Sequence, residues 1–532
     1  MTKLWQFFSN NRQYLYFLAL SFLLSNIALI SMIFESFWDR SGLFASWLVI
    51  FFFLTHVIFL SLLNILIPTQ WLLYLAIVFA GFMGFYAIEY AVVFDSEMWR
   101  NVFQTNPKEA VDILSFKFFL YLLIFIGLPI LFIHFKKINL NSDFKDRLKS
   151  RGLIIVFSLI FILIFSWLAS SLMADFLRNH KKLRYYNNPS YGIYNLGKFA
   201  YEGLTIPKEF DPGNYHIFHQ DEDKVEREEL IVLIIGETAR YDHFSINGYG
   251  RETNPELKKV SDLISYSNFT ACGTSTAVSV PCIFSLQDEE HYKAATAQFK
   301  ANLLDILPRE EMNVHWFDNN SDSKHVADRI NYKSFKNKLT NSICDTECRD
   351  VGMISEIKKV IDPKLDNLIV LHQMGSHGPA YFKRYPKEFE KFKPACQFED
   401  ISKCSKEEIV NAYDNTILYT DYFLGELIQE LKGLVDQYEV TMIYVSDHGE
   451  SLGEHGAYLH GLPMAVAPKE QKHVPVFIWA PQGSSDVNYL ETMRLKDNEY
   501  HHGNISDMIL RLLEVGSDAY KSSETAMVVR VH

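Results

Sequence analysis

Residues 229–240 read Glu229-Leu230-Ile231-Val232-Leu233-Ile234-Ile235-Gly236-Glu237-Thr238-Ala239-Arg240. An unbroken apolar run at 230–235, closed by glycine and a carboxylate, is the pattern of a strand buried on both faces. Runs at 313–317, 367–373, 440–445 and 474–479 read as further strands. Helical stretches at about 299–307, 352–360, 405–433 and 503–514 alternate with them. Such alternation predicts a mostly parallel α/β sheet covered by helices.

In open α/β sheets, ligands gather at the carboxyl ends of strands. Three such ends here carry chemistry. They are Gly236-Glu237-Thr238-Ala239-Arg240, then His372-Gln373-Met374-Gly375-Ser376-His377-Gly378-Pro379, then Ser446-Asp447-His448-Gly449-Glu450, with His455 and His460 following. A lone Asp or His at a strand end is an ordinary polar group. Several in one sheet point to a metal site. Glu237, Asp447 and His448 offer two carboxylates and an imidazole, a set that suits zinc, with manganese the alternative. A Thr or Ser oxygen would complete a tetrahedron.

Such oxygens are concentrated in Cys272-Gly273-Thr274-Ser275-Thr276-Ala277-Val278-Ser279-Val280-Pro281-Cys282. A metal would lower the pKa of one of these hydroxyls and make it a nucleophile. The apolar residues after Thr276 begin a helix in this reading, and its N-terminus favours a phosphate. Lys324 adds a candidate cation for an anionic substrate.

Upstream of this domain the chain changes character. Apolar runs at 13–36 and about 43–66, 70–94, 116–135 and 153–176 are each near the length that crosses a bilayer as a helix. The first is too closely followed by others to be a cleaved leader. Lys136, Lys137, Lys145, Arg147, Lys149 and Arg151 follow the fourth run, so that loop and residues 1–12 are expected in the cytoplasm and residues 177–532 outside. All six cysteines, Cys272, Cys282, Cys344, Cys348, Cys396 and Cys404, fall in the outer part. That suits disulfides in an oxidising compartment, and sequence-adjacent pairing is the simplest of the open connectivities. The expected division is a five-helix membrane domain at 1–176, a linker partly resting on the membrane surface at 177–228, and an α/β domain at 229–532. The net charge of −12 gives no basic face for nucleic acid. Asn101, Thr105 and Glu109 are spaced to share one helix face in an outer loop.

The blocks at 231–240 (IVLIIGETAR), 271–285 (ACGTSTAVSVPCIFS), 317–324 (FDNNSDSK), 371–382 (LHQMGSHGPAYF) and 443–461 (IYVSDHGESLGEHGAYLHG) resemble the phosphoethanolamine transferases of Gram-negative inner membranes. That family includes the lipid A-modifying and mobile colistin-resistance enzymes. The resemblance implies an alkaline phosphatase/sulfatase-like fold for the soluble domain and an inner-membrane, multi-pass protein facing the periplasm. It implies that Thr276 is the nucleophile and, with Glu237, Asp447 and His448, a zinc ligand. It implies that His377 and His460 bind the phosphoryl group or a second zinc beside the tightly bound one. Asn320, Ser321 and Lys324 would line the substrate pocket, and Asn101, Thr105 and Glu109 would hold the ethanolamine head group. The cysteines would form three disulfides. The donor would be phosphatidylethanolamine and the acceptor lipid A, with resistance to polymyxins as the consequence and a monomer as the working unit. A core sugar of lipopolysaccharide, a flagellar protein, another glycan or glycerol-phosphate transfer stay open as alternatives.

Overall fold

The computed structural model describes residues 2–105, 114–135, 143–213, 215, 217–219, 227–287, 291–481, 483, 487–517 and 526–531, without the side chains of 2–10, 217, 219, 455 and 517. Contacts divide the chain into two units, Met1–Arg100 with Leu114–Tyr201, and Asn101–Ile113 with Glu202–His532.

The first unit is helical. Among the described residues, four helices are long and apolar enough to cross a membrane: α2 (Ile27–Leu66), α3 (Thr69–Glu89), α4 (Phe116–Phe135) and α5 (Phe144–Leu168). Helix α1 (Thr2–Ser25) precedes them. At 40 residues, α2 would be roughly 60 Å long if straight, about twice a bilayer core. It is not straight, because Ser41 has non-helical backbone angles. Tyr14 Oη lies 3.1 Å from Ser61 Oγ and Ser21 Oγ lies 2.9 Å from His56 Nε2. Those pairs run in opposite directions along the chain, so it doubles back at this break.

The run expected at 13–36 is two helices meeting at Asn26. The Asn26 amide donates to Phe22 O at 2.8 Å and competes with the helix ladder there. The last span begins at Phe144, earlier than the expected 153. The basic segment continues the helix instead of ending as a loop, and Arg151 is buried, donating to Asn64 Oδ1 and Asn11 Oδ1 at 2.6 Å each. Lys136 and Lys137 lie outside the described residues. In the stretch expected as linker, Lys181–Tyr185 is helical, and so is α6 (Ser190–Thr205).

The second unit is built on a seven-stranded sheet. Its strands are β1 (Glu229–Gly236), β2 (Leu263–Tyr266), β3 (Asn313–Asp318), β4 (Asn331–Ser334), β5 (Asn367–His372), β6 (Glu439–Ser446) and β7 (Val476–Trp479). Their order is β2-β7-β6-β1-β5-β3-β4. The five strands from β6 to β4 are mutually parallel, and β7 runs against both of its neighbours. Strand β1 is central and buried along its whole length. The five expected strands are all present. The two edge strands carry no clear sequence pattern, because each has only four residues of mixed polarity. Helix α7 (Thr276–Ile283) follows the cysteine-bounded loop. Helix α8 (Lys406–Lys432) starts at a Ser405–Glu408 capping box, and α9 (Gly503–Leu512) lies near the end of the chain.

Register places the chemistry. Gly236 pairs with Ser446, and Ile235 pairs with both His372 and Val445. The three strands therefore end at one level. Asp447 N donates to Gly236 O at 2.9 Å and Gln373 N donates to Ile235 O at 3.0 Å, which carries the alignment past the sheet edge.

Candidate active site

Glu237, Asp447 and His448 are fully buried at that edge. Each offers one ligand atom, and the three atoms lie within 4.8 Å of one another. His448 Nε2 is 3.6 Å from Glu237 Oε1 and 3.4 Å from Asp447 Oδ2. The Thr276 hydroxyl closes the group, donating to Glu237 Oε2 at 3.1 Å and lying 3.5 Å from His448 Nε2. Bonds of roughly 2.0–2.2 Å from zinc to nitrogen and oxygen give tetrahedral edges of about 3.3–3.6 Å. The four side chains are thus spaced to hold such an ion.

Local structure aims each of them. Asp447 Oδ1 accepts from Thr238 N at 3.1 Å and His448 N at 2.7 Å, which turns Oδ2 toward the cluster. The Gly449 carbonyl, 2.9 Å from His448 Nδ1, can only accept, so Nδ1 carries the hydrogen and Nε2 presents its lone pair inward. Burial holds His448 below the usual histidine range although Asp447 opposes the shift, so the ring is the neutral form a metal needs. A side chain at Gly449 would strike Glu470 O at 2.1 Å. Gly375 has φ +49°, and its added carbon would meet Glu237 O at 2.9 Å, so the loop passes Glu237 only as glycine.

Thr276 is the first residue of α7, and the extended Ser275 precedes it. The disulfide Cys272–Cys282 spans this segment. Thr274 Oγ1 donates to Leu462 O at 2.7 Å, and Gly461 N donates to Thr274 O at 2.8 Å. The other disulfides are Cys344–Cys348 and Cys396–Cys404, the sequence-adjacent pairing.

His377 and His460 stand beside this cluster. The His460 ring centre is 4.3 Å from that of His448 and 5.9 Å from that of His377. Burial pushes His377 well below its usual range, and Arg384, His460 and His448 add to the effect. His460 Nδ1 lies 2.9 Å from Glu450 Oε2, and Tyr381 donates to the other Glu450 oxygen at 2.8 Å. Glu450 belongs to the third strand end, and only these contacts single it out.

Asn320 is buried rather than lining an open pocket. Its amide donates to Glu237 Oε2 at 2.7 Å and Gln373 O at 2.8 Å, so it orients a candidate metal ligand. Ser321 is half-buried, and its carbonyl accepts from Lys336 Nζ at 3.1 Å. Lys324 pairs with Asp322 at 3.4 Å and lines a small cavity with Pro281 and Ser285, by the far end of α7 from Thr276. Asn101 belongs to the helix Ser96–Gln104, and the Thr105 hydroxyl donates back to Asn101 O at 2.6 Å. Glu109 lies outside the described residues.

Two family models match the chain. One described as sulfatase covers residues 229–515, and one described as phosphoethanolamine transferase EptA/EptB covers residues 52–204. The chain is 40% identical to the phosphatidylethanolamine transferase Mcr-1 of Escherichia coli over 461 residues, 84% of each protein. It is 35% identical to the phosphoethanolamine transferase EptA of Escherichia coli strain K12 over 453 residues, 83% of this chain and 82% of that protein. Its fold matches the integral membrane protein lipooligosaccharide phosphoethanolamine transferase A from Neisseria meningitidis with a TM-score of 0.87 at 27% identity, covering 96% of each chain.

Proposed function

Because the chain belongs to the phosphoethanolamine transferase family, we propose that it takes phosphoethanolamine from phosphatidylethanolamine and passes it to a phosphate of lipid A through an intermediate on Thr276. It is an inner-membrane protein with its catalytic domain in the periplasm. The observation that carries the reading is the Thr276 hydroxyl, 3.1 Å from Glu237 and 3.5 Å from His448 at the mouth of a helix.

Glu237, Asp447, His448 and Thr276 are the residues that would hold zinc. When bound, zinc supplies Lewis acidity that makes the threonine oxygen nucleophilic at neutral pH. The Thr276 proton is already directed at Glu237 Oε2. Thr276 Oγ1 forms a bond to the donor phosphorus while the phosphorus–oxygen bond to diacylglycerol breaks, and the departing oxygen takes a proton. The α7 N-terminus favours the phosphoryl oxygens. His377 and His460, beside this cluster, are the candidates to bind those oxygens or to protonate the leaving group. An oxygen of the acceptor phosphate then bonds to phosphorus, and the bond to Thr276 breaks. Two lipids that need not be present together are thereby served by one site, and one chain supplies every group, so a monomer suffices.

The test is to incubate the protein with phosphatidylethanolamine without acceptor and map the modified peptide. A phosphoethanolamine adduct is expected on Thr276, absent in Thr276→Ala, which should also leave lipid A unmodified. An adduct on Thr274, Ser275 or Ser279, or modified lipid A from Thr276→Ala, would overturn the assignment.

A further inference from the structure

Behind the nucleophile segment sits a histidine that the chemistry above does not use. His502 immediately precedes α9 and is fully buried. Its Nε2 lies 3.0 Å from Ser446 O, a carbonyl that can only accept, so Nε2 carries the hydrogen. Its Nδ1 lies 3.3 Å from the Cys272 backbone N–H, which can only donate, so Nδ1 is bare. The two partners fix one neutral tautomer. Burial pushes the ring's pKa down to about 4, which keeps it in that form at neutral pH.

The two partners are what give the ring its importance. Ser446 ends β6 and is the residue before Asp447. Cys272 opens the disulfide-closed segment that carries Thr276. One imidazole therefore spans the strand that delivers two candidate metal ligands and the loop that delivers the candidate nucleophile. From the same region of chain, Ser506 Oγ donates to Ile283 O at 2.7 Å, at the last residue of α7. The segment from Cys272 to Ile283 is thus held at both ends by residues 502–506.

We infer that His502 is a positioning residue that sets the Thr276 oxygen at its distance from Asp447 and His448. The inference rests on the reading of Thr276 as nucleophile. A displacement of about 1 Å in reacting groups costs on the order of a hundredfold in rate, so a link of this kind acts on turnover more than on donor binding.

Two half-isosteres test it in the full-length protein. His502→Asn keeps an oxygen that can accept from Cys272 N but loses the donor to Ser446 O. His502→Gln keeps a donor that can reach Ser446 O but loses the acceptor. Each is expected to lower kcat by about tenfold to a hundredfold, with KM for phosphatidylethanolamine within about twofold and bound zinc unchanged. Combining either with Cys272→Ser/Cys282→Ser should cost little beyond the larger single effect, because both act through one loop. A purely structural histidine would lower the melting temperature and leave kcat per folded molecule intact. Folded variants with kcat within about twofold of the wild type would overturn the inference. If neither histidine variant folds, Ser506→Ala releases the other end and is expected to lower kcat at unchanged KM; unchanged kcat there would overturn it too. Failure of the nucleophile reading is separate and shows as activity retained in Thr276→Ala.

Discussion

His56 in the membrane unit and His448 in the catalytic unit are both fully buried, and their surroundings differ in kind. His56 has one hydroxyl on each nitrogen, Ser21 at 2.9 Å and Ser190 at 2.8 Å. A hydroxyl can donate or accept, so that ring is satisfied in either tautomer. His448 Nδ1 is bonded to a carbonyl at 2.9 Å, while Nε2 faces oxygens of Glu237, Asp447 and Thr276 at 3.4–3.6 Å. Carboxylates and a bare imidazole nitrogen are all acceptors. Packed together, they repel unless a cation lies among them. A closed hydrogen-bond set is architecture, and acceptors converging on one point are a site.

Removing a converging ligand should have the largest effect. Asp447→Ala is expected to empty or strongly weaken the candidate metal site and to cut the proposed transfer by about a thousandfold or more, within the range seen when groups acting as a unit are removed. Elemental analysis showing full zinc in the folded variant would break the contrast at its centre.

The disulfides sharpen the contrast within the catalytic unit. Loss of either Cys272–Cys282 or Cys396–Cys404 should cost about 2–5 kcal/mol, as for native disulfides in small secreted domains. Only the first should also lower kcat, since only it spans Thr276. Equal kcat in the two cysteine-free pairs would show that the closed loop does not position Thr276.

His56→Leu probes the satisfied side. It leaves Ser21 and Ser190 each short of one partner and should destabilise by about 1–3 kcal/mol, with kcat per folded molecule unchanged. A kcat that falls with unchanged melting temperature would make His56 part of the function.

The smallest effect, counted per pH unit, is expected at Asp421, a buried carboxylate that accepts from Glu256 N at 2.8 Å and Leu257 N at 3.0 Å. Burial raises its pKa from 3.8 to about 7. The folded chain then holds a proton that the unfolded chain has released, so stability falls as pH rises between those values, by at most about 1.4 kcal/mol per pH unit. Asp421→Asn should flatten that slope, and thermal melts across the same range measure it; an unchanged slope would assign it to other groups.

The central strands and the chemical groups at their ends were legible in the chain because each is a local pattern. A strand buried on both faces must be a continuous apolar run, as at Glu229–Gly236, and a chemical group at its end sits one residue later. Membrane spans are legible for a similar reason, since hydrocarbon demands long apolar helices. The break at Asn26 was not, because it is set by polar contacts to Asn188 rather than by the composition of the run, whereas the reversal at Ser41 falls in the gap between the runs at 13–36 and 43–66. Short edge strands such as Asn331–Ser334 lack the apolar length that identifies a strand.

Sequence by itself determined which residue types stand at the strand ends and that a hydroxyl-rich loop lies between two cysteines. Only the tertiary structure decided that Asn320 reaches Glu237 across 83 positions and that His502 meets Cys272 across 230 positions. Those pairings follow from strand order and register, in which Gly236 and Ser446 stand side by side. Hydrogen bonds form over about 3 Å, so a partner that distant in the chain is chosen by how the sheet assembles and leaves no periodic trace in the residues themselves.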